Sequence, residues 1–163
     1  MKKTRIGIGY DIHPLEIGRK LVLGGVQIPF DKGLSGWSDA DVLTHAVMDA
    51  LLGAAALGDI GKYFPSGEAE YKDISSLELL ERVRKILEDN GWQTGNIDVT
   101  VVAEQPKLSD YIDRMREQLS RTLCIDISQV SIKASTSNGL GYIGKGEGIA
   151  AYAVALLEES KGL

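Results

Sequence analysis

Residues 38–57 read SDADVLTHAVMDALLGAAAL. Ser38 is predicted to be an N-cap, with Asp39 and Asp41 in a first turn where carboxylates suit the positive end of a helix. Ala and Leu then dominate, so the pattern predicts a buried helix that stops at Gly58. The segments around it supply strands and further helices. TRIGIGYDI (4–12) alternates and is predicted to be a strand ending near His13. KLVLGGVQIPF (20–30) reads as two short strands turning at Gly24-Gly25, a small hairpin. DKGLSGW (31–37) and DIGKYFPSGEAEYKD (59–73) read as loops. Leu77, Leu80, Val83 and Leu87 recur at helical spacing, and Asn90-Gly91 closes that helix. NIDVTVVA (96–103) is a strand. SDYIDRMREQLSRTL (109–123) is a helix with Ile112, Met115 and Leu119 on one face. QVSIKAS (129–135) is a strand, and TSNGLGYIGKGEG (136–148) is a glycine-rich loop. The last segment, IAAYAVALLEE (149–159), is ambiguous, because Ala favours helix while Ile149, Tyr152 and Val154 suit a strand. The element order predicts an α+β fold: a single domain over residues 1–163, with one mixed sheet covered by helices and a small β-hairpin.

The composition narrows the function. A chain of 163 residues with 44% apolar and 25% charged residues is an ordinary globular domain with a core of its own. No apolar run reaches the roughly 18 residues of a membrane span. The N-terminus MKKTRIGIGY lacks the apolar core of a secretory signal. The one cysteine, Cys124, cannot form an internal disulfide. The expected location is therefore the cytoplasm, with no membrane partner. A formal net charge of −5 argues against a nucleic-acid surface. It leaves room for an anionic small substrate held by a metal ion, backbone N–H groups and a few local lysines.

Within GYDIHPL (9–15), Asp11 and His13 are two residues apart, so a strand projects both to one face. One oxygen and one nitrogen donor on a rigid strand make half of a zinc site. The chain has only one other histidine, His45, on the buried helix. An Asp-His-His trio leaves a tetrahedral position open, the pattern of a catalytic metal. The alternative is plainer: His13 as a hydrogen-bonded surface residue before Pro14, and His45 as a satisfied core histidine. Asp49, four residues after His45, either accepts the second imidazole N–H or is a simple helical polar pair. Ser135, Thr136 and Ser137, with Lys133 and Lys145 nearby, offer hydroxyls and mobile backbone to a phosphate, although the segment is not a Walker sequence. Without a ligand it would be a surface loop.

Taken together, GYDIHPL, LVLGGVQIPF, SDADVLTHAVMDALLGAAALGDIGKYFP, NIDVTVVAEQPKL and GKGEGIAAYAVALL resemble the 2-C-methyl-D-erythritol 2,4-cyclodiphosphate synthase family, in order and over nearly the whole chain. The resemblance implies a lyase of non-mevalonate isoprenoid precursor biosynthesis. Its substrate is 4-diphosphocytidyl-2-C-methyl-D-erythritol 2-phosphate, cyclised with release of CMP. The resemblance also implies a homotrimer with active sites between subunits, helices on one face of the sheet, and a strand for the last segment. It implies one Zn²⁺ per subunit on Asp11, His13 and His45, and a second divalent ion, Mg²⁺ or Mn²⁺, arriving with substrate. Substrate contacts implied are Asp11, His13, Trp37, Ser38, and Asp59, Gly61 and Phe64 in the following loop. Ala103, Pro106, Lys107 and Leu108, within 103–109, would form the cytidine pocket, largely through backbone. Thr136 would stabilise the transition state, with Ser135 and Ser137 along the diphosphate and Asn138, Tyr142 and Lys145 beyond. An isoprenoid diphosphate in a central cavity near Tyr142 and Lys145 is a further implied partner.

Four positions depart from that pattern. Trp37 stands where the family has a histidine beside the substrate; indole donates one hydrogen bond and does not become cationic. Asn138 replaces a glutamate that helps hold the second metal, so it offers an oxygen without charge. Lys145 replaces an arginine and loses its bidentate geometry. Ser66 replaces an aspartate. These departures leave two competing readings: a weakly active or non-catalytic trimer that binds zinc and isoprenoid diphosphates, and a zinc phosphodiesterase using metal-bound water.

Overall fold

The structure, a computed structural model, describes residues 3–160; residues 1–2 and 161–163 of the expected domain lie outside the described residues. The elements run β1 (Thr4–Ile17), β2 (Leu21–Leu23), β3 (Val26–Ile28), β4 (Lys32–Leu34), α1 (Val42–Ala54), α2 (Ile60–Tyr63) and α3 (Ser76–Asp89). They continue with β5 (Trp92–Val102), α4 (Ile112–Leu123), β6 (Val130–Ser135), α5 (Gly141–Gly144) and β7 (Gly148–Glu159). One sheet has the order β4-β1-β7-β5-β6, and β2-β3 form the separate hairpin. Only β5 and β6 pair in parallel, so the sheet is mixed. No helix among the described residues is long and apolar enough to cross a membrane.

Small residues let α1 lie directly on the sheet. Gly7, Gly9, Asp11 and His13 share one face of β1 by the two-residue period of a strand. A Cβ on Gly9 would stand 1.8 Å from the carbonyl oxygen of Ala46, and one on Gly7 would stand 2.1 Å from that of Ala50. Beside them, Ala151, Ala153 and Ala155 of β7 turn the same way and are buried. Helix and strand backbones therefore touch. This contact explains the ambiguous last segment. Its alanines are there because nothing larger fits beneath α1, and tertiary packing overrides their helical propensity. The segment is a strand, 148–159.

Nearly every side chain of α1 is buried, including Leu43, Val47, Met48, Leu51 and Leu52. Each such side chain contributes about 1.5–3 kcal/mol of burial. The opposite face of β1 and β7 is open. Ile6 and Ile8 are 74% and 73% exposed, and Tyr10, Tyr152 and Val154 continue the patch. In register, Ile8 faces Val154 and Tyr10 faces Tyr152.

Several boundaries differ from the sequence expectation. The N-cap of α1 is Asp41, not Ser38. Asp41 is fully buried, and its carboxylate accepts from Thr44 N, Thr44 Oγ1, Gly24 N and Gly25 N at 2.7–3.0 Å. The hairpin turn needs an acceptor for its two N–H groups, and Asp41 meets that need while capping the helix. The helix ends at Ala54 rather than Gly58, because Ala56 takes a left-handed conformation (φ 58°). β1 continues past His13 to Ile17, pairing with β4 inside the expected loop 31–37. The expected loops 59–73 and 136–148 contain the single turns α2 and α5.

Candidate metal centre

The close seating of α1 carries His45 to the two donors on β1. Asp11 Oδ2 lies 2.9 Å from His13 Nε2 and 3.0 Å from His45 Nδ1, and the two nitrogens are 3.3 Å apart. A tetrahedral zinc with bonds of about 2.0–2.1 Å needs donor separations of roughly 3.3–3.4 Å. Three atoms in a triangle this size, one carboxylate oxygen and two imidazole nitrogens, fit that ion with one side left to solvent. These are the only His, Cys, Asp or Glu side chains so grouped among the described residues.

Hydrogen bonds behind the triangle set both imidazoles for ligation. His13 Nδ1 donates to the Ser35 carbonyl at 2.8 Å, which leaves the Nε2 lone pair facing inward. Gly36 lies against that ring; a Cβ there would stand 3.0 Å from His13 Cε1. His45 Nε2 faces the hydroxyls of Ser76 at 3.0 Å and Ser38 at 3.1 Å. Ser76 is fully buried and donates its own proton to Asp39 Oδ1 in a short hydrogen bond, so its oxygen accepts from His45. Asp39 Oδ2 also takes the Ser76 N–H at 2.9 Å. The chain Asp39–Ser76–His45 thus holds the imidazole with Nδ1 free for a metal.

The charges respond to this crowding. Burial would raise the Asp11 carboxyl, but hydrogen bonds and charge from His13 and His45 outweigh it and hold the group down at about 2. Burial opposes a charge on His13, yet the hydrogen bond and charge of Asp11 raise its pKa above the ordinary histidine value.

Asp49 does not orient His45. Its Oδ1 accepts the Ile60 N–H at 2.9 Å and so ties α1 to the start of α2. The helical spacing is right, but a backbone N–H without a partner competes for the carboxylate. Burial raises the Asp49 carboxyl. Asp59 caps α2 through Lys62 N at 3.1 Å, and Gly61 is exposed. Phe64 packs edge-on against Tyr71, with centroids 5.6 Å apart. Ser38 is buried, and its hydroxyl faces His45 rather than open solvent. The Trp37 indole N–H donates to the Glu68 carbonyl at 2.8 Å, and the Trp37 carbonyl accepts from Asp73 N at 2.9 Å. Trp37 therefore fastens the 66–73 segment beside the site.

At the same end of the sheet, Ile12, Ala150, Val102 and Ser135 form one register row across β1, β7, β5 and β6. Three strand spacings, about 14 Å, separate its ends. At the β5–β6 end, a pocket of about 400 Å³ is lined by Ala103, Pro106, Lys107, Leu108, Ser135 and Thr136, among others. Ser137 and Asn138 form the adjoining turn. Tyr142 is not in that lining; it is exposed and hydrogen-bonds Tyr10 on the open sheet face, which pushes the Tyr10 hydroxyl up to about 12. Lys145, also exposed, follows α5. No local pattern signals the Asp39–Ser76 support, because its members are 37 residues apart.

Comparison with known proteins gives the arrangement its context. Residues 4–158 match the YgbB family. The chain is 60% identical over 155 residues to the 2-C-methyl-D-erythritol 2,4-cyclodiphosphate synthase of Dehalococcoides mccartyi, covering 95% of this chain and 99% of that protein. Against the same enzyme of Syntrophomonas wolfei it is 56% identical, covering 96% and 99%. Among solved structures, the Plasmodium falciparum IspF CDP complex superposes with a TM-score of 0.86 at 34% identity, covering 99% of each chain. The bifunctional IspDF of Campylobacter jejuni gives a TM-score of 0.94 at 38% identity, covering 98% of this chain and 43% of that one. With match, identity and superposition all running nearly end to end, the chain belongs to the YgbB family, the 2-C-methyl-D-erythritol 2,4-cyclodiphosphate synthases.

Proposed function

We propose that this enzyme converts 4-diphosphocytidyl-2-C-methyl-D-erythritol 2-phosphate to 2-C-methyl-D-erythritol 2,4-cyclodiphosphate and CMP, in non-mevalonate isoprenoid precursor biosynthesis. The observation that carries this reading is the 2.9–3.3 Å triangle of Asp11, His13 and His45 donors in a member of this family. A zinc ion held there, with Mg²⁺ or Mn²⁺ arriving on the substrate, would supply positive charge to the phosphate oxygens and lower the repulsion between two anionic groups.

A 2-phosphate oxygen forms the new bond to the β-phosphorus while the bond from that phosphorus to the bridging oxygen breaks, and CMP keeps the electron pair. The monoester is already mostly dianionic at neutral pH, its second pKa being about 6, so no protein base is required. The residues position and hold. Ala103, Pro106, Lys107 and Leu108 wall the cytidine pocket. The Thr136 hydroxyl, at the rim of that pocket, donates to the transferring phosphoryl group. Ser135 and Ser137 flank the diphosphate, and Asn138 offers an amide oxygen to the second cation. The loop of Asp59, Gly61 and Phe64, with Trp37 and Ser38, borders the methylerythritol side. Keeping nucleophile and electrophile on one bound molecule removes an entropic barrier of up to roughly 7–11 kcal/mol. The open apolar face of Ile6, Ile8, Tyr10, Tyr152 and Val154 supports a homotrimer, with Tyr142 and Lys145 toward a central cavity suited to an isoprenoid diphosphate.

The test is incubation of purified protein with the cytidine-linked substrate, Zn²⁺ and Mg²⁺, followed by product analysis. Cyclic diphosphate with CMP is the expected result. A linear bisphosphate with CMP would make the protein a phosphodiesterase, and no turnover would make it a binding protein. Trp37 allows a sharper check. Its N–H is committed to Glu68, so Trp37→His is expected to leave kcat equal or raised. A fall beyond about tenfold would mean that anchoring the 66–73 segment matters more than a protonatable ring at this position.

A further inference from the structure

Glu104 does something the metal centre and the pocket do not require. One of its carboxylate oxygens, Oε1, accepts from Ser137 N at 2.7 Å and faces Gly139 N at 3.4 Å; the Ser137 hydroxyl stands at 3.0 Å, its one proton placed between Glu104 and the Leu140 carbonyl at 2.8 Å. The Asn138 N–H between them points instead to Thr136 Oγ1 at 3.2 Å. Asn138 and Gly139 both have positive φ, 55° and 74°. Asn and Gly adopt that conformation at least cost. Successive N–H groups in such a turn form a concavity that binds anions. Here the chain's own carboxylate fills it. Those hydrogen bonds hold the Glu104 carboxyl below the ordinary glutamate value, so the charge is present throughout the neutral range.

Glu104 also lies in the lining of the 400 Å³ pocket, next to Ala103, whose N–H pairs with the Ser135 carbonyl. The same residue therefore joins the pocket wall to the turn carrying Thr136. We infer that Glu104 is a positioning residue: its carboxylate, seated in the 137–139 turn, fixes the Thr136 hydroxyl for phosphoryl transfer and couples that placement to the nucleotide pocket. The catalytic half of this inference rests on the function proposed above. The clamp itself rests on the hydrogen bonds alone.

Two variants test it. Glu104→Ala removes every acceptor, while Glu104→Gln keeps a neutral oxygen of the same reach. Hydrogen exchange over residues 135–141, read by mass spectrometry on the ligand-free protein, is expected to quicken by about tenfold in Glu104→Ala and partway in Glu104→Gln. In the cyclisation assay kcat is expected to fall in the same order, by about tenfold to a hundredfold for alanine. The Kd for CDP should change by less than about threefold, because the remaining pocket wall is intact. Unchanged exchange in Glu104→Ala would overturn the clamp. Faster exchange with unchanged kcat would overturn its role in transfer, as would a loss confined to CDP affinity. If the alanine variant fails to fold, Glu104→Gln indistinguishable from wild type in exchange overturns the inference. Wild-type protein that neither binds CDP nor cyclises the substrate overturns the nucleotide reading and the coupling with it, while the exchange series still decides the clamp.

Discussion

Replacing His45 with alanine is expected to abolish the zinc binding proposed for the Asp11, His13 and His45 donors. Three donors at 2.9–3.3 Å from one another would hold the ion only together. With Nδ1 gone, Asp11 and His13 leave two positions to water, and the chelating enclosure is lost. Zinc content after dialysis is expected to drop from about one ion per chain to below about a tenth. A bound ion supplies several kcal/mol to the transition state, and each 1.36 kcal/mol is tenfold in rate, so turnover should fall by roughly a thousandfold or more. The fold should survive. Ser76 keeps its bond to Asp39, and the cavity left by a single ring costs about 2–5 kcal/mol, visible as a drop in Tm. Metal analysis and thermal unfolding on the same sample separate the two effects. Full zinc in a folded His45→Ala protein would remove this residue from the site.

Why this trio was readable from sequence, while its support was not, comes down to range. Asp11 and His13 sit on one strand, where a period of two fixes their common face whatever the rest of the fold does. Their union with His45 needed the family resemblance, because spacing alone does not bring residue 45 to residue 13. The hairpin and helices 76–89 and 112–123 were likewise visible in local patterns. Choices made by tertiary contacts were not. In Ser38-Asp39-Ala40-Asp41, three side chains are able to cap a helix. Asp41 takes the cap because the Gly24 and Gly25 N–H groups converge on it. Asp39, freed from capping α1, accepts from Ser76 at the start of α3. Asp49 has the right helical offset from His45 but is claimed by Ile60 N. The pocket at 103–109 and 135–136 forms only because β5 and β6 pair in parallel, a pairing no local pattern announces.

The glycines of β1 lead to the other large expected effect. Gly9→Ala would put a methyl carbon 1.8 Å from the Ala46 carbonyl oxygen and 2.8 Å from Ala50 N. Favourable carbon contacts lie at about 3.5–4.0 Å, so helix and strand must separate by roughly 1.5 Å or more. Neither obstacle is a side chain that can swing away; both are backbone of the most buried helix in the protein. Overpacking in cores ordinarily costs about 1–3 kcal/mol. Here a whole interface must shift, so the cost is expected at or beyond the upper end, a fall in Tm of about 10 °C for a domain of this size. His45 precedes Ala46, so it moves with the helix, and a donor triangle widened by that amount no longer encloses zinc. Gly9→Ala should therefore lose metal although no ligand has been touched. Gly53→Ala provides the contrast. Gly53 is exposed within α1, its nearest neighbour to an added Cβ is the Ile8 carbonyl oxygen at 3.9 Å, and its φ is ordinary for a helix. Removing a helical glycine there should stabilise the protein by about 0.5–1 kcal/mol and leave zinc at one per chain. If both variants melt with wild type and retain zinc, α1 does not rest on β1 as described, and the closeness that brings His45 to Asp11 needs another cause.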